Sequence, residues 1–204
     1  MAQALKKTKQ AAGERGANRR DAMLDSACQL FYDKGYASAS MRDISNVIGV
    51  TQAALYYHFP NKEEMLFALI EEFSEKLVDV IEAAVASVDD PVASLLATVR
   101  AHILLGRSHH REFKFVTEDS RHLSEAHGEA LRLHQRRVFT VYRDLIASIL
   151  QANQVADRDP SVAAFNTLAM INYVFNWYRS DGPKSLEEIA DETAAFVVAG
   201  LIGK

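Results

Sequence analysis

Met41-Arg-Asp-Ile-Ser-Asn-Val-Ile-Gly-Val-Thr-Gln-Ala-Ala-Leu-Tyr-Tyr-His-Phe59 is the stretch that decides how this chain folds. Ile44, Val47 and Ile48 recur at helical spacing, Ser40 stands ahead of them as a cap, and Asp43 is placed to return the bond. Gly49 breaks the pattern where a sharp turn needs a residue that tolerates positive φ. Thr51 caps a second short helix, which Pro60 prevents from continuing. Two short helices about a glycine turn have the form of a helix-turn-helix unit. Ile44, Val47, Ile48, Val50, Leu55 and Phe59 supply its core, joined by Leu24, Phe31 and Tyr36 from a preceding helix.

Such a core leaves Thr51, Gln52, Tyr56 and Tyr57 on the outer face of the second helix, with the small Ala53 and Ala54 permitting close approach. That chemistry suits a DNA major groove. Gln52 can bond bidentately to an adenine edge, and Thr51 can touch a phosphate or a thymine methyl. Tyr57, His58 and Lys62 stand where the chain leaves the groove and Arg42 stands on the other side, all able to meet phosphate oxygens. From spacing alone the same residues also suit a merely solvated helix face.

Charge distribution separates these readings further. The whole chain carries −4, but residues 1–62 hold nine basic and five acidic residues, a net +4, and the remainder is −8. A basic head on an acidic body binds phosphates without the body adhering to DNA. The Lys- and Gln-containing segment 1–18 reads as a flexible basic arm, either an ordinary tail or one that touches DNA. Residues 19–62 form the expected reading head and 63–204 the body.

The body is punctuated as helix throughout. Asn61 with Glu64 opens a long helix, Asp90-Pro91 and Asp159-Pro160 each pair a cap with proline at the first helical position, and Ser185 with Glu188 makes a capping box. An all-α fold follows, of about nine helices near 19–34, 41–48, 52–58, 61–88, 91–107, 109–122, 125–153, 160–180 and 185–202. No apolar run approaches the roughly 20 residues of a membrane span, and no signal peptide is visible, so a cytoplasmic protein without membrane association is expected. Cys28 lies on the apolar stripe of Leu24 and Phe31, which suits a buried thiol. Glycine-rich phosphate loops, Gly-x-Ser-x-Gly and His-Glu-x-x-His are missing, so no enzyme activity or cofactor is expected. His109 and His110 point to different sides of a helix, and His127 and His134 lie seven apart on one face. Asp119-x-x-His122 stands where a carboxylate site would need two Glu-x-x-His motifs and two more glutamates, so no metal is expected. The alternative to a DNA-binding regulator is a helical ligand-binding or protein-interaction module.

Gly35-Tyr36, Ser40-Met-Arg-Asp-Ile, Gly49-Val-Thr and Leu55-Tyr-Tyr-His-Phe-Pro-Asn-Lys-Glu-Glu64 resemble the N-terminal signature of the TetR family of one-component regulators. The resemblance runs without gaps from about Arg19 to Leu69, with Ser45 standing where the family usually has alanine. It implies a homodimer on a palindromic double-stranded operator, usually a repressor, released when a small molecule binds the body.

Two body features bear on that implication. The last two helices carry apolar and small residues from which a dimer interface is expected at Ala163, Thr167, Met170, Val174, Ala190, Ala194, Val197 and Leu201; the alternative is that these form subunit core. The middle helices supply Val99, Ile103, Phe113, Val116, Phe139, Tyr142, Ile146, Phe175 and Tyr178 for an apolar ligand pocket. Arg121 is placed among neighbouring cations Arg107, Arg111, Lys114, Arg132, Arg136 and Arg137. An apolar tunnel with a basic mouth suits a small hydrophobic effector with an anionic head, such as an acyl-CoA, and a solvated charged helix face is the competing reading. Asn176-Trp-Tyr-Arg-Ser-Asp-Gly-Pro183 and Ser185-Leu-Glu-Glu-Ile-Ala190 are also similar to TetR members that sense acyl-CoA in lipid or sterol catabolism.

Overall fold

A computed structural model describes residues 19–203; the expected basic arm lies outside the described residues. Helix α1 (19–34) turns Met23, Leu24, Ala27, Cys28 and Phe31 inward as one stripe. It stops at Gly35, whose φ of +82° is a conformation that side-chain-bearing residues rarely adopt. Lys34 then reaches Asp43 at 2.7 Å, and this contact and Ser40 hold the Asp43 carboxyl down at about 2.

Helix α2 (Met41–Ile48) begins with a complete capping box, Ser40 Oγ accepting from Asp43 N–H and the Asp43 carboxylate accepting from Ser40 N–H. Gly49 (φ 74°) closes it, and Thr51 Oγ1 accepts from Ala54 N–H to open α3 (Gln52–His58). Ser45 is buried with its hydroxyl donating to the Arg42 carbonyl at 2.9 Å, so it meets no unpaired group where alanine is usual. Val47 departs from the expected core: it is 62% exposed. The inward stripe of α2 runs through Met41, Ile44, Ser45 and Ile48, and at 3.6 residues per turn Val47 lies about 110° from its centre.

Helix α4 (Lys62–Ala86) joins head to body over 25 residues, roughly 37 Å at 1.5 Å per residue. Its first turns bury Met65, Leu66, Leu69 and Ile70 in the head core, and its later turns bury Val78 and Ile81 in the body core. Helices α5 (Pro91–Ser108), α6 (His110–Lys114), α7 (Glu125–Ala152), α8 (Pro160–Trp177) and α9 (Leu186–Ile202) complete nine α-helices among the described residues. Asp90, Asp159 and Ser185 cap their helices as the sequence predicts.

The expected continuous helix 109–122 is instead α6, a π-helical turn at Phe115–Asp119 and a 3-10 turn at Ser120–His122. The wider turn changes the phase of the side chains, so Phe113 faces the body while Phe115 enters the head core. Helix α8 ends at Trp177 rather than 180, because Tyr178 is extended (φ −62°, ψ 135°). Among the described residues no helix is long and apolar enough to cross a membrane.

Candidate functional site

Short α3 is held by Leu55, which is fully buried, and by Phe59 just beyond its end. With that edge committed to the head core, Thr51, Gln52, Ala53, Tyr56 and Tyr57 are exposed together. Tyr57 is 85% exposed, an unusual position for an aromatic ring without a partner macromolecule. His58 is half-buried and lies edge-on to Tyr57 at 5.2 Å, and Arg42 is exposed at the start of α2. The surface offers hydroxyl, amide and cationic groups around a helix N-terminus, a set able to bond phosphates and base edges.

Lys62 does something else. Its Nζ donates to the carbonyls of Tyr36, Ala37 and Ala39 at 2.9, 3.2 and 3.0 Å, and it sits 4.5 Å from the Tyr36 ring centroid. An ammonium group has three protons, and all three are used. The expected phosphate contact is therefore corrected: Lys62 closes the turn between α1 and α2 onto the start of α4.

The predicted effector pocket divides similarly. An outer cleft of about 880 Å³ is lined by Phe113, Phe175 and Tyr178 together with Gly106, Arg107, Lys114, Thr117 and Arg179. An inner chamber of about 400 Å³ is lined by Phe113, Val116 and Phe139 with Phe73, Leu77, Val138, Phe165 and Leu168, and by the polar Ser74, His102, Thr117, His134, Gln135 and Asn172. Phe113 and Thr117 border both. Val99, Ile103, Tyr142 and Ile146 line neither: they are fully buried in the body core, where α5 and α7 pack face to face. Arg121 is exposed on the 3-10 turn and also lines neither.

Nor do the cations converge as a basic mouth. Arg132 and Arg136 pair with Glu129, and Arg137 pairs with Glu82, all on exposed helix surfaces. At the outer cleft Arg107 pairs with Glu187 and Arg179 with Asp181, while Lys114 lies over the Tyr32 ring at 5.2 Å. The cleft wall is thus polar and of mixed sign. Gly106 lets the Phe175 ring pack directly on α5 at this wall: a Cβ there would come within 2.1 Å of it.

Close packing links these chambers to the reading head. Phe113, Val116 and Thr117 border the chambers, while Phe115 between them is fully buried in the head core, edge-on to Phe31 at 6.3 Å. Glu63, on the first turn of α4, accepts from Ser124 N–H at 2.5 Å and contacts His127 Nδ1 at 2.9 Å. The Ser124 bond pulls the Glu63 carboxyl below its ordinary range. His127 also stacks on Phe67 at 3.9 Å.

Of the expected dimer residues, Ala163, Thr167, Met170, Val197 and Leu201 line a groove of about 550 Å³ between α8 and α9, beside Val162 and Phe196. Thr167, Val174, Ala190, Ala194, Val197 and Leu201 are buried inside the subunit, while Ala163 and Met170 are half-buried. Val162, Phe165, Tyr173 and Trp177 of α8 and Phe196 of α9 are the exposed large apolar residues of these two helices, at 58, 63, 63, 53 and 68%.

Residues 23–69 match the family described as bacterial regulatory proteins, tetR family, and residues 88–201 match the tetracyclin repressor-like C-terminal domain. The chain belongs to the TetR family. It is a DNA-binding transcriptional regulator and not an enzyme. It is 28% identical over 191 residues to the HTH-type transcriptional repressor KstR2 of Rhodococcus jostii, covering 91% of this chain and 92% of that protein. Among solved structures it is similar to AibR in complex with isovaleryl coenzyme A and operator DNA, at 27% identity and TM-score 0.80, covering 87% of this chain and 97% of that one. The TetR family regulator PfmR of Thermus thermophilus gives the same identity and TM-score over 86% of this chain and 96% of that one.

Within this TetR-family body, sequence reading missed His102, Phe73 and Leu77 as chamber residues, since each sits on a helix stripe that also reads as core. It also missed a convergence of Glu71 and Glu75 on α4 with His134 on α7, whose ligand atoms lie within 4.8 Å of one another. The expectation of no metal-binding arrangement came largely from spacing along single helices, and this cluster spans two.

Proposed function

We propose that this regulator is a cytoplasmic repressor that binds a palindromic operator as a homodimer and leaves it when an acyl-CoA-like ligand enters the body. The observation that carries the ligand part is the pair of chambers meeting at Phe113 and Thr117, one mainly apolar and one walled by charged groups of both signs. An amphipathic ligand would lay its apolar chain in the first and its head group in the second. The similarity to AibR, solved with isovaleryl coenzyme A and operator DNA, supports the same class. Exposed Tyr56, Tyr57 and Gln52 support DNA contact by α3, and Val162, Tyr173, Trp177 and Phe196 support dimerisation through α8 and α9. A recognition helix of seven residues reads few base pairs, so two copies about 34 Å apart on DNA are needed for specificity. Filling the chambers would move Phe113 and Val116, and with them Phe115 in the head core, changing the angle of α3 to its partner.

Thermal stability against acyl-CoAs of graded chain length, with coenzyme A and free fatty acids as controls, tests this. A native-state ligand at about 100 times its dissociation constant adds about 2.7 kcal/mol, which shifts the midpoint by several degrees. A shift that needs both acyl chain and CoA, together with release of bound duplex, is the expected result. Stabilisation by fatty acid alone, or none at all, rejects the acyl-CoA assignment.

A further inference from the structure

Helix α4 carries seven carboxylates against two cations, Lys62 and Lys76. Lys62 is used on the turn carbonyls, and Lys76 Nζ faces His109 Nε2 at 2.9 Å. Glu63 is held by Ser124 and His127, Glu72 by Arg20 and Glu82 by Arg137. Glu71 and Glu75 have neither an ion pair nor a hydrogen bond to their carboxylates among the described residues. The positions one turn away from them along α4 include Phe67, Ala68, Glu72, Val78 and Asp79 and no cation. Like charges four residues apart on one helix repel, so this pair costs stability as it stands.

His134 reaches the pair from α7: one ligand atom of each of the three lies within 4.8 Å of the others. His127 pairs with Glu63 at 2.9 Å, whereas His134 pairs with no carboxylate among the described residues. Ser74, on the same face of α4, adds an independent observation. It is 5% exposed and lines the inner chamber together with His134. The other buried hydroxyls, on Ser45, Ser94, Thr98 and Thr167, each donate to a carbonyl; that of Ser74 has no partner among the described residues. Buried polar groups are rarely left this way, so a chamber wall with such a hydroxyl beside two carboxylates and an imidazole suits a bound polar group.

The donor set says which. Two adjacent carboxylates refuse an anion, and an imidazole nitrogen beside carboxylate oxygens suits a divalent transition ion better than magnesium or calcium, which favour oxygen alone. Ligands about 2.1 Å from a tetrahedral ion stand about 3.4 Å apart, a closure within reach of two flexible glutamate side chains. We propose that Glu71, Glu75 and His134 bind one zinc-class divalent ion, with water completing its coordination. Ile70 is the last residue of α4 in the head core and Glu71 follows it, so the ion would fasten α7 to α4 at the joint between head and body. The site stands or falls independently of the acyl-CoA reading.

Tag-free full chain, stripped with a chelator and desalted, should bind one Zn²⁺ per chain by calorimetry, and excess Mg²⁺ should not compete. Glu75→Gln and His134→Asn should each weaken Zn²⁺ at least about 100-fold, while Glu72→Gln, which removes the same charge from the neighbouring position, should stay within about twofold. In ¹⁵N-histidine-labelled protein, Zn²⁺ should shift the ring nitrogens whose signals are missing from His134→Asn; this readout on the wild type holds even where a variant folds poorly. No Zn²⁺ binding, affinity unchanged in Glu75→Gln or His134→Asn, an equal loss in Glu72→Gln, or a shift confined to other histidines would each overturn the proposal.

Discussion

Lys62→Ala should unfold the reading head more easily without removing a DNA contact. The bonds to the Tyr36 and Ala39 carbonyls are partly shielded, while the bond to Ala37 is exposed. Two shielded bonds from a charged donor at about 1 kcal/mol each, after discounting for solvent, and about 0.5–1 kcal/mol for the cation over Tyr36, give about 3 kcal/mol. The exposed bond adds little. Urea unfolding should register a loss of that order with an unchanged slope, and Lys62→Arg should recover only part, since a planar fork cannot place three donors on three converging carbonyls. Affinity for a non-specific duplex, measured where both proteins remain folded, should keep its salt dependence. If stability stays within about 0.5 kcal/mol of wild type while the salt slope falls by about one, Lys62 binds phosphate and the clamp is wrong.

Further outcomes follow from the same geometry. Burial holds the His102 imidazole down at about 4 against an ordinary 6.5, so as pH falls the unfolded chain takes up a proton first. That contribution to stability is whole above 6.5 and falls away toward pH 4 by up to about 3 kcal/mol; His102→Phe should show a flatter profile by urea unfolding at each pH, and an equal slope would contradict the buried neutral ring. Tyr57→Ala should weaken binding to every duplex in a competition assay, whereas Gln52→Ala should relax preference at one base pair; uniform loss for both would refute the division between phosphate and base contacts. Phe196→Asp should give a monomer by analytical ultracentrifugation with an unchanged helical spectrum, because Phe196 is 68% exposed in the subunit. A dimer that persists would move the interface elsewhere.

How far the sequence carries depends on the range of the interactions concerned. Caps and turns at Ser40, Gly49, Thr51, Asp90 and Asp159 are local, so the helices they bound were legible with small errors at the ends. The outer face of α3 was legible for the same reason, since burying Leu55 settles where Tyr56 and Tyr57 point. Lys62 was not, because its acceptors lie 23 to 26 residues away on a turn whose path follows from tertiary packing. Small and apolar residues occur around both α8 and α9, and composition alone does not say which side meets α5, so buried Ala190 and Ala194 could not be told from groove residues such as Met170. Segment 109–122 reads as a plain helix until Phe115 is required in the head core while Phe113 faces the body.

Selection of bound duplexes from a random pool at about 0.15 M salt tests the central claim most directly. A two-fold dimer reading DNA through α3 should enrich a pseudo-palindrome with half-sites centred about one helical turn, or a multiple of it, apart. A pool that remains random after repeated rounds, with binding explained by charge alone, would contradict it.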